Sequence, residues 1–273
     1  MNKREKLKHL YELLDRSIAV IAPSETEPRS FETDVAAFRT RFDPEASVGA
    51  RTSANRASNA RAVPESDASD FASLYADWSR SRREVRLAEI ADAIRACERC
   101  PLSFGRTNAV PGEGVLDPLV MVVGEGPGAQ EDADGRPFVG KAGQYLDKWL
   151  AAIGLARGEN VFIANVVKCR PPGNRDPKPE ESDACLPYLE EQIALIRPRL
   201  ILTVGRISMR LLTGTQHGIT RIHGTFYHYG GIPLVPTFHP SGVLRTPAWR
   251  RPVWEDLKSV RNWLIDNAGH TAP

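Results

Sequence analysis

Apolar positions Leu7, Leu10, Tyr11, Leu14 and Ile18 recur at helical spacing, which predicts an amphipathic helix over residues 1–21. The pattern then stops. Residues 44–70, PEASVGARTSANRASNARAVPESDASD, are rich in Ala, Ser, Arg and Asn and offer almost nothing to bury. A disordered linker is therefore expected over 22–82. The pattern resumes near Glu84, where Val85, Leu87, Ile90, Ala91 and Ile94 predict a helix running into Cys97, so the ordered domain is expected over 83–273. Apolar runs at 119–123, 161–167, 200–204 and 234–238 predict strands, and 223–229 is expected to be extended. Helical patterns cover 142–153, 179–196, 207–212 and 253–267. Helices alternating with apolar strands predict an α/β sandwich around a mainly parallel sheet. Ligands in such folds sit beyond the carboxyl ends of the strands. Three motifs fall at those ends: GEGPG after the first strand, KCRPPGNR after the second and HPSGVLR after the fourth.

Composition changes this picture little. The 273 residues, 41% hydrophobic, have room for one large domain and an appendage. With 36 basic and 34 acidic residues no global field announces a nucleic-acid partner, so any basic face must be local. No apolar run reaches the roughly 18 residues of a membrane span. The N-terminus has no continuous apolar core, so it does not read as a secretory signal and a cytoplasmic location is expected. The N-terminal helix either docks on its own domain or carries a protein partner. Four cysteines in a reducing compartment point to metal ligands or free thiols rather than disulfides.

The glycines after the first strand raise the question of a phosphate cradle. Gly124, Gly126 and Ala129 match the dinucleotide pattern, but the loop is expected to continue through EDADGRP without opening a helix. Asp147, about where a ribose-binding acid would be sought, lies inside a predicted helix, and Glu125 and Glu131 would repel a pyrophosphate. Gly135, Gly140, Lys141 and Ala142 approach a P-loop but lack its hydroxyl and a preceding strand. Cys97-x-x-Cys100, Cys169 and Cys185 form one set with no histidine near the first pair. Four thiolates suit tetrahedral zinc or an iron–sulfur cluster, and spacing does not choose between them.

Taken together, Cys97-x-x-Cys100, GEGPGAQED, GRPFVGKAGQ, ANVVKCRPPGNRDP, Cys185 and HPSGVLR resemble the family 4 uracil-DNA glycosylases, in that family's order from Cys97 to Arg245. The resemblance implies a three-layer sandwich with a central four-stranded sheet. It implies a 4Fe-4S cluster on Cys97, Cys100, Cys169 and Cys185, pinning the segment before the first strand to the loop after the second. It also implies excision of uracil from single- or double-stranded DNA by hydrolysis of the N-glycosidic bond, by a monomer in a prokaryotic cytoplasm.

Such chemistry assigns roles to residues. Phe138 would stack on a flipped base, and Asn165 would accept from uracil N3–H while donating to O4, a pattern cytosine reverses. His239 would donate to O2 and stabilise the leaving anion. Gly126 belongs to the pocket wall and stands where the superfamily's best-known branch offers an aspartate, so the usual water-activating carboxylate is absent. Glu131 with Asn174 is the preferred pair for the water and the sugar cation, with Glu125 the next candidate. Val243 and Leu244 would wedge into the duplex, Arg245 would meet a phosphate, and Ser241 and amides near Gly140 would hold others. A covalently trapping relative would need a longer basic loop with a histidine after the second strand, and residues 169–177 are short and have none. A non-catalytic scaffold and a wider base range stay open.

Overall fold

The computed structural model describes Phe71 and residues 75–267. The helix expected over 1–21 and most of the linker expected over 22–82 lie outside them. The sheet has six strands: β1 (Glu113–Gly114), β2 (Val120–Gly124), β3 (Val161–Asn165), β4 (Leu200–Val204), β5 (Tyr227–Tyr229) and β6 (Ile232–Thr237). Their order is β1-β3-β2-β4-β6-β5. The four predicted strands form its parallel centre, β3-β2-β4-β6, and the two short additions pair antiparallel at the edges. The expected four strands thus become six because β1, two residues with no apolar signal, and β5, inside the stretch expected to be extended, find partners at the sheet edges.

Among the described residues eight α-helices surround the sheet: α1 (Arg80–Arg95), α2 (Ala129–Asp134), α3 (Lys141–Ala152), α4 (Pro179–Ile196), α5 (Arg206–Thr213), α6 (Ile219–Ile222), α7 (Pro240–Arg245) and α8 (Arg250–Asp266). Every residue of β2, β3 and β4 is buried, as expected of strands covered on both faces. Alternate residues feed two cores. Met121, Val123, Phe162 and Ala164 pack with α1, α4 and α5, whereas Val120, Val122, Ile163 and Leu202 pack with α3, α7 and α8. Three layers result, and the carboxyl ends of the parallel strands share one edge of the sandwich.

Three local expectations change. Residues 129–134, expected as loop, form α2, whose Glu131 bonds back to the Gly128 amide. Within 223–229 only the last three residues are strand, and α6 precedes them. Packing also begins before the expected boundary at residue 83. Phe71 is buried with its ring 5.4 Å from that of Tyr229, and its amide donates to the Gly230 carbonyl at 3.4 Å. Tyr75 and Trp78 pack edge to face at 4.7 Å against the same core.

Phe71 therefore belongs to the core. Phe71→Ala in the full chain should lower the unfolding free energy by about 3 kcal/mol, read by urea denaturation.

Candidate active site

The pocket begins where β2 and β3 end side by side, with Gly124 paired to Asn165 across the sheet. A Cβ at Gly124 would lie 2.6 Å from the Phe138 ring and closer still to Asn165 Oδ1. The absence of a side chain therefore lets an aromatic ring and an amide enter one volume. Asn165 is 1% exposed, and its Oδ1 has no hydrogen-bond partner. An orphaned buried acceptor costs on the order of 1–3 kcal/mol, so it marks a place where a ligand N–H is expected.

Phe138 lies in the turn between α2 and α3 with φ of 52°, a conformation an aromatic residue seldom adopts. Arg157 holds this turn by donating to the Pro137 carbonyl at 2.8 Å and the Phe138 carbonyl at 2.9 Å. The same guanidinium pairs with Glu113 and Asp147. Gly143, on the first turn of α3, leaves the space this turn fills: a Cβ there would lie 2.7 Å from Phe138 Cα and would overlap its carbonyl.

His239 caps α7 beyond β6, its ring 5.8 Å from that of Phe138. Its Nδ1 accepts from the Ser241 amide at 3.2 Å and lies 2.8 Å from Ser241 Oγ. Accepting at Nδ1 places the proton of the neutral ring on Nε2. Burial and the Arg245 guanidinium push the pKa of His239 down to about 4, against a small opposing pull from Glu131. The imidazole is a neutral donor throughout the physiological range.

The two carboxylates of the opening loop part company. Glu131 Oε1 accepts from Val139 and Gly140 amides, both at 2.9 Å, and Oε2 accepts from the Gly128 amide at 3.1 Å. It is a clasp between the starts of α2 and α3. The amides near Gly140, expected to hold phosphate, are therefore occupied from within. Asn174 is exposed and accepts from Arg170 Nε at 2.8 Å, so no contact joins it to Glu131 as the expected pair. Glu125 instead sits half-buried at the end of β2. Burial first, then the nearby Asp176 charge, raise its pKa to about 7, partly offset by Arg206. Asp176 is paired with Arg206, and its loop is tied to α4 by Arg175 on Glu181 at 2.7 Å. At Gly126 a Cβ would come within 2.7 Å of Val167 Cγ2, so a larger residue there needs Val167 to move.

The segment expected to wedge into a duplex is helical, and Val243 on α7 is fully buried in the core. Its apolar side chain packs under the helix, leaving Leu244 (43% exposed) and the exposed Arg245 outside. Ser241 is engaged with His239.

On the α4 side, Cys97, Cys100, Cys169 and Cys185 line one cavity with Arg106 and Lys168. Arg106 donates to Cys169 Sγ at 3.1 Å and to the Cys97 carbonyl at 2.8 Å, and the Lys168 amide reaches Cys185 Sγ at 3.3 Å. Burial pushes the Cys185 thiol up to about 11 and raises that of Cys169. Among the described residues no three His, Cys, Asp or Glu side chains are grouped so as to hold a single metal ion.

The sequence places residues 124–143 in a pocket wall but gives no separate role to Gly143, and it does not point to Arg157 or Lys168. Gly143 and Arg157 carry no local signal, because their roles arise only where α3 and the 155–160 turn meet the Phe138 turn.

Residues 111–258 match the uracil DNA glycosylase superfamily. A type-4 uracil-DNA glycosylase of Pyrobaculum aerophilum is 48% identical over 179 residues, 63% of this chain and 91% of that protein. One of Thermotoga maritima is 43% identical over 186 residues, 67% of this chain and 96% of that protein. One of Saccharolobus solfataricus is 46% identical over 184 residues, 64% of this chain and 85% of that protein.

The geometry around Phe138 is testable by itself. Gly143→Ala should displace the turn and cost about 1–3 kcal/mol of stability, measured by chemical denaturation.

Proposed function

Because the chain belongs to the uracil DNA glycosylase superfamily and its type-4 group, we propose that it hydrolyses the N-glycosidic bond of flipped-out uracil in DNA, beginning base excision repair. The orphaned Oδ1 of buried Asn165 carries this reading. It accepts from uracil N3–H while the amide nitrogen donates to O4, and cytosine would meet both groups with the wrong polarity. Phe138 stacks on the base, held in place before the base arrives.

Bond breaking leaves negative charge on uracil and positive charge on the sugar. His239 donates its Nε2–H to uracil O2, and being neutral it strengthens that bond as charge develops. Glu125 takes the role on the other side: its carboxylate stabilises the sugar cation and orients water. This replaces the Glu131–Asn174 pair, because Glu131 is engaged by three backbone amides. Leu244 enters the gap left by the base and Arg245 meets the backbone phosphates. Uracil-containing DNA, in single- or double-stranded form, is the partner of the monomer, and a cytoplasmic location fits the prokaryotic sources of the relatives.

The cysteine cavity fits a 4Fe-4S cluster better than zinc. A single zinc would need four sulfurs to converge at about 2.3 Å from one point. In a cubane each iron takes one cysteine, so the sulfurs stand apart around a cavity, and N–H donors face Cys169 and Cys185. When bound, a cluster on these cysteines would cross-link the segment after α1, the loop after β3, and α4, outside the bond-breaking step.

Uracil release from a uracil-containing oligonucleotide tests the assignment. Wild type should cleave without added nucleotide, and Asn165→Asp and His239→Ala should each lose about 10²–10³-fold in rate. Binding without release would make the chain a uracil sensor or scaffold.

A second expectation concerns pH. Glu125 is neutral below about 7 and anionic above it. If its anion works, kcat/KM rises as pH passes upward through 7, and Glu125→Gln flattens the rise. His239 changes charge near 4, outside that window. A wild-type profile that is flat from pH 6 to 8 would remove Glu125 from the mechanism.

A further inference from the structure

Lys168 is among the largest side chains the chain hides, at 1% exposure. Taking an ammonium out of water costs several kcal/mol unless it is paired and hydrogen-bonded. Its Nζ donates to the Asn165 backbone carbonyl at 2.9 Å and to Gln192 Oε1 at 2.7 Å, both uncharged acceptors. Gln192 is itself fixed, donating to the Pro111 carbonyl at 2.9 Å. The hydrogen bonds are therefore met, while neither acceptor supplies a counter-charge. The groups able to supply it are the cysteines, since Lys168 lines their cavity and its own amide bonds Cys185 Sγ. Metal-bound cysteines are thiolates.

We propose that Lys168 is a positioning residue that couples the cysteine site to base recognition: its ammonium takes its counter-charge from the cluster-holding thiolates and fixes the carbonyl of Asn165. The inference rests on the uracil-reading role of Asn165 given above. The geometry makes the coupling direct. Asn165 and Lys168 lie three residues apart, so the Nζ–carbonyl bond closes the turn that follows β3. That turn is also gripped by the Val110 amide on the Lys168 carbonyl at 2.7 Å. Orientation of the Asn165 amide thus depends on Nζ staying in place between the Asn165 carbonyl and Gln192 Oε1. Arg106, on Cys169 Sγ, is the second cation facing the same thiolates.

The test is a double-mutant cycle on the iron-loaded full chain with Lys168→Met, Asn165→Ala and the double variant. Iron per chain, the cluster's reduction midpoint, single-turnover uracil release and affinity for a tetrahydrofuran abasic-analogue oligonucleotide are measured. Lys168→Met should keep its iron, shift the midpoint to a more negative value through loss of a cation, and slow uracil release by about tenfold or more. Affinity for the abasic analogue, which has no base to read, should be unchanged. The double variant should be scarcely slower than Asn165→Ala alone. Multiplicative losses, full activity of Lys168→Met, or a loss of affinity for the abasic analogue as large as the loss of rate would overturn the proposal. Should Lys168→Met not fold, Gln192→Met keeps the ammonium while removing one acceptor; a slower uracil release with iron retained supports the coupling, and an unchanged rate overturns it. Wild type separates the two readings. No uracil release by iron-loaded wild type rejects the proposed function, whereas an active wild type leaves any failure with Lys168.

Discussion

Gly124 is where three parts of the fold compete for one volume. The sheet register sets Asn165 opposite it, and the turn between α2 and α3 brings the Phe138 ring to the same point. Any side chain at 124 would expel one or the other. The turn needs a left-handed backbone at Phe138, which costs on the order of 1–3 kcal/mol. Arg157 offsets this by binding two carbonyls of the turn, and Gly143 lets α3 begin directly beneath it. The pocket is thus held open by the fold before any base arrives, which is what recognition of a single flipped base requires.

The same constraint separates the roles of two nearby carboxylates. Glu131 points inward and meets three amides, so its negative charge is used to fasten two helix starts. That also explains why a glycine-rich segment after a strand makes no phosphate cradle: the amides that would face an anion already have one. Glu125 faces Asp176 and receives no such donors, so burial leaves its charge poorly stabilised. A carboxylate in that condition gains most when a cation forms beside it. His239 supplies the complementary end, a neutral donor whose tautomer is set by the Ser241 amide. In the proposed reaction these two groups would serve as acceptor and donor on opposite sides of a bond whose cleavage separates charge.

Much of this was legible in the chain. The strand over 200–204 and the helix over 179–196 are found where the pattern places them, because continuous apolar runs and long periodic segments survive any tertiary context. Elements without such a signal were not. β1 is two residues long and is defined by its pairing to β3. α2 is polar, AQEDAD, and begins after a glycine; its one local mark was a glutamate three residues past that glycine, the spacing of a capping box. Val243 looked like a loop residue, although Pro240 at the first helical position was a signal that the segment would coil and bury one side. The resemblance singled out Asn165, Phe138 and His239, and the structure brings their side chains to one edge of the sheet. Arg157 and Lys168 escaped because a charged residue in sequence reads as surface until its buried partners are seen.

Residues 165–169 explain why a cysteine-lined cavity and a base pocket occur on one small domain. The carboxyl end of a parallel strand is where an open sheet gives its backbone least support, since ladder bonds stop and the chain must turn away. Here the turn carries Asn165 on one side and Cys169 on the other, and it is gripped by Val110, Gln192 and the Cys185 thiol. A cross-link through four cysteines would join this turn to α4 and to the segment that follows α1, helices packed on the face opposite α3. Phe138 is instead held from the α3 side by Arg157 and Gly143. The two walls of the pocket thus draw their rigidity from opposite layers of the sandwich, and the sheet edge between them is where the proposed function puts the base.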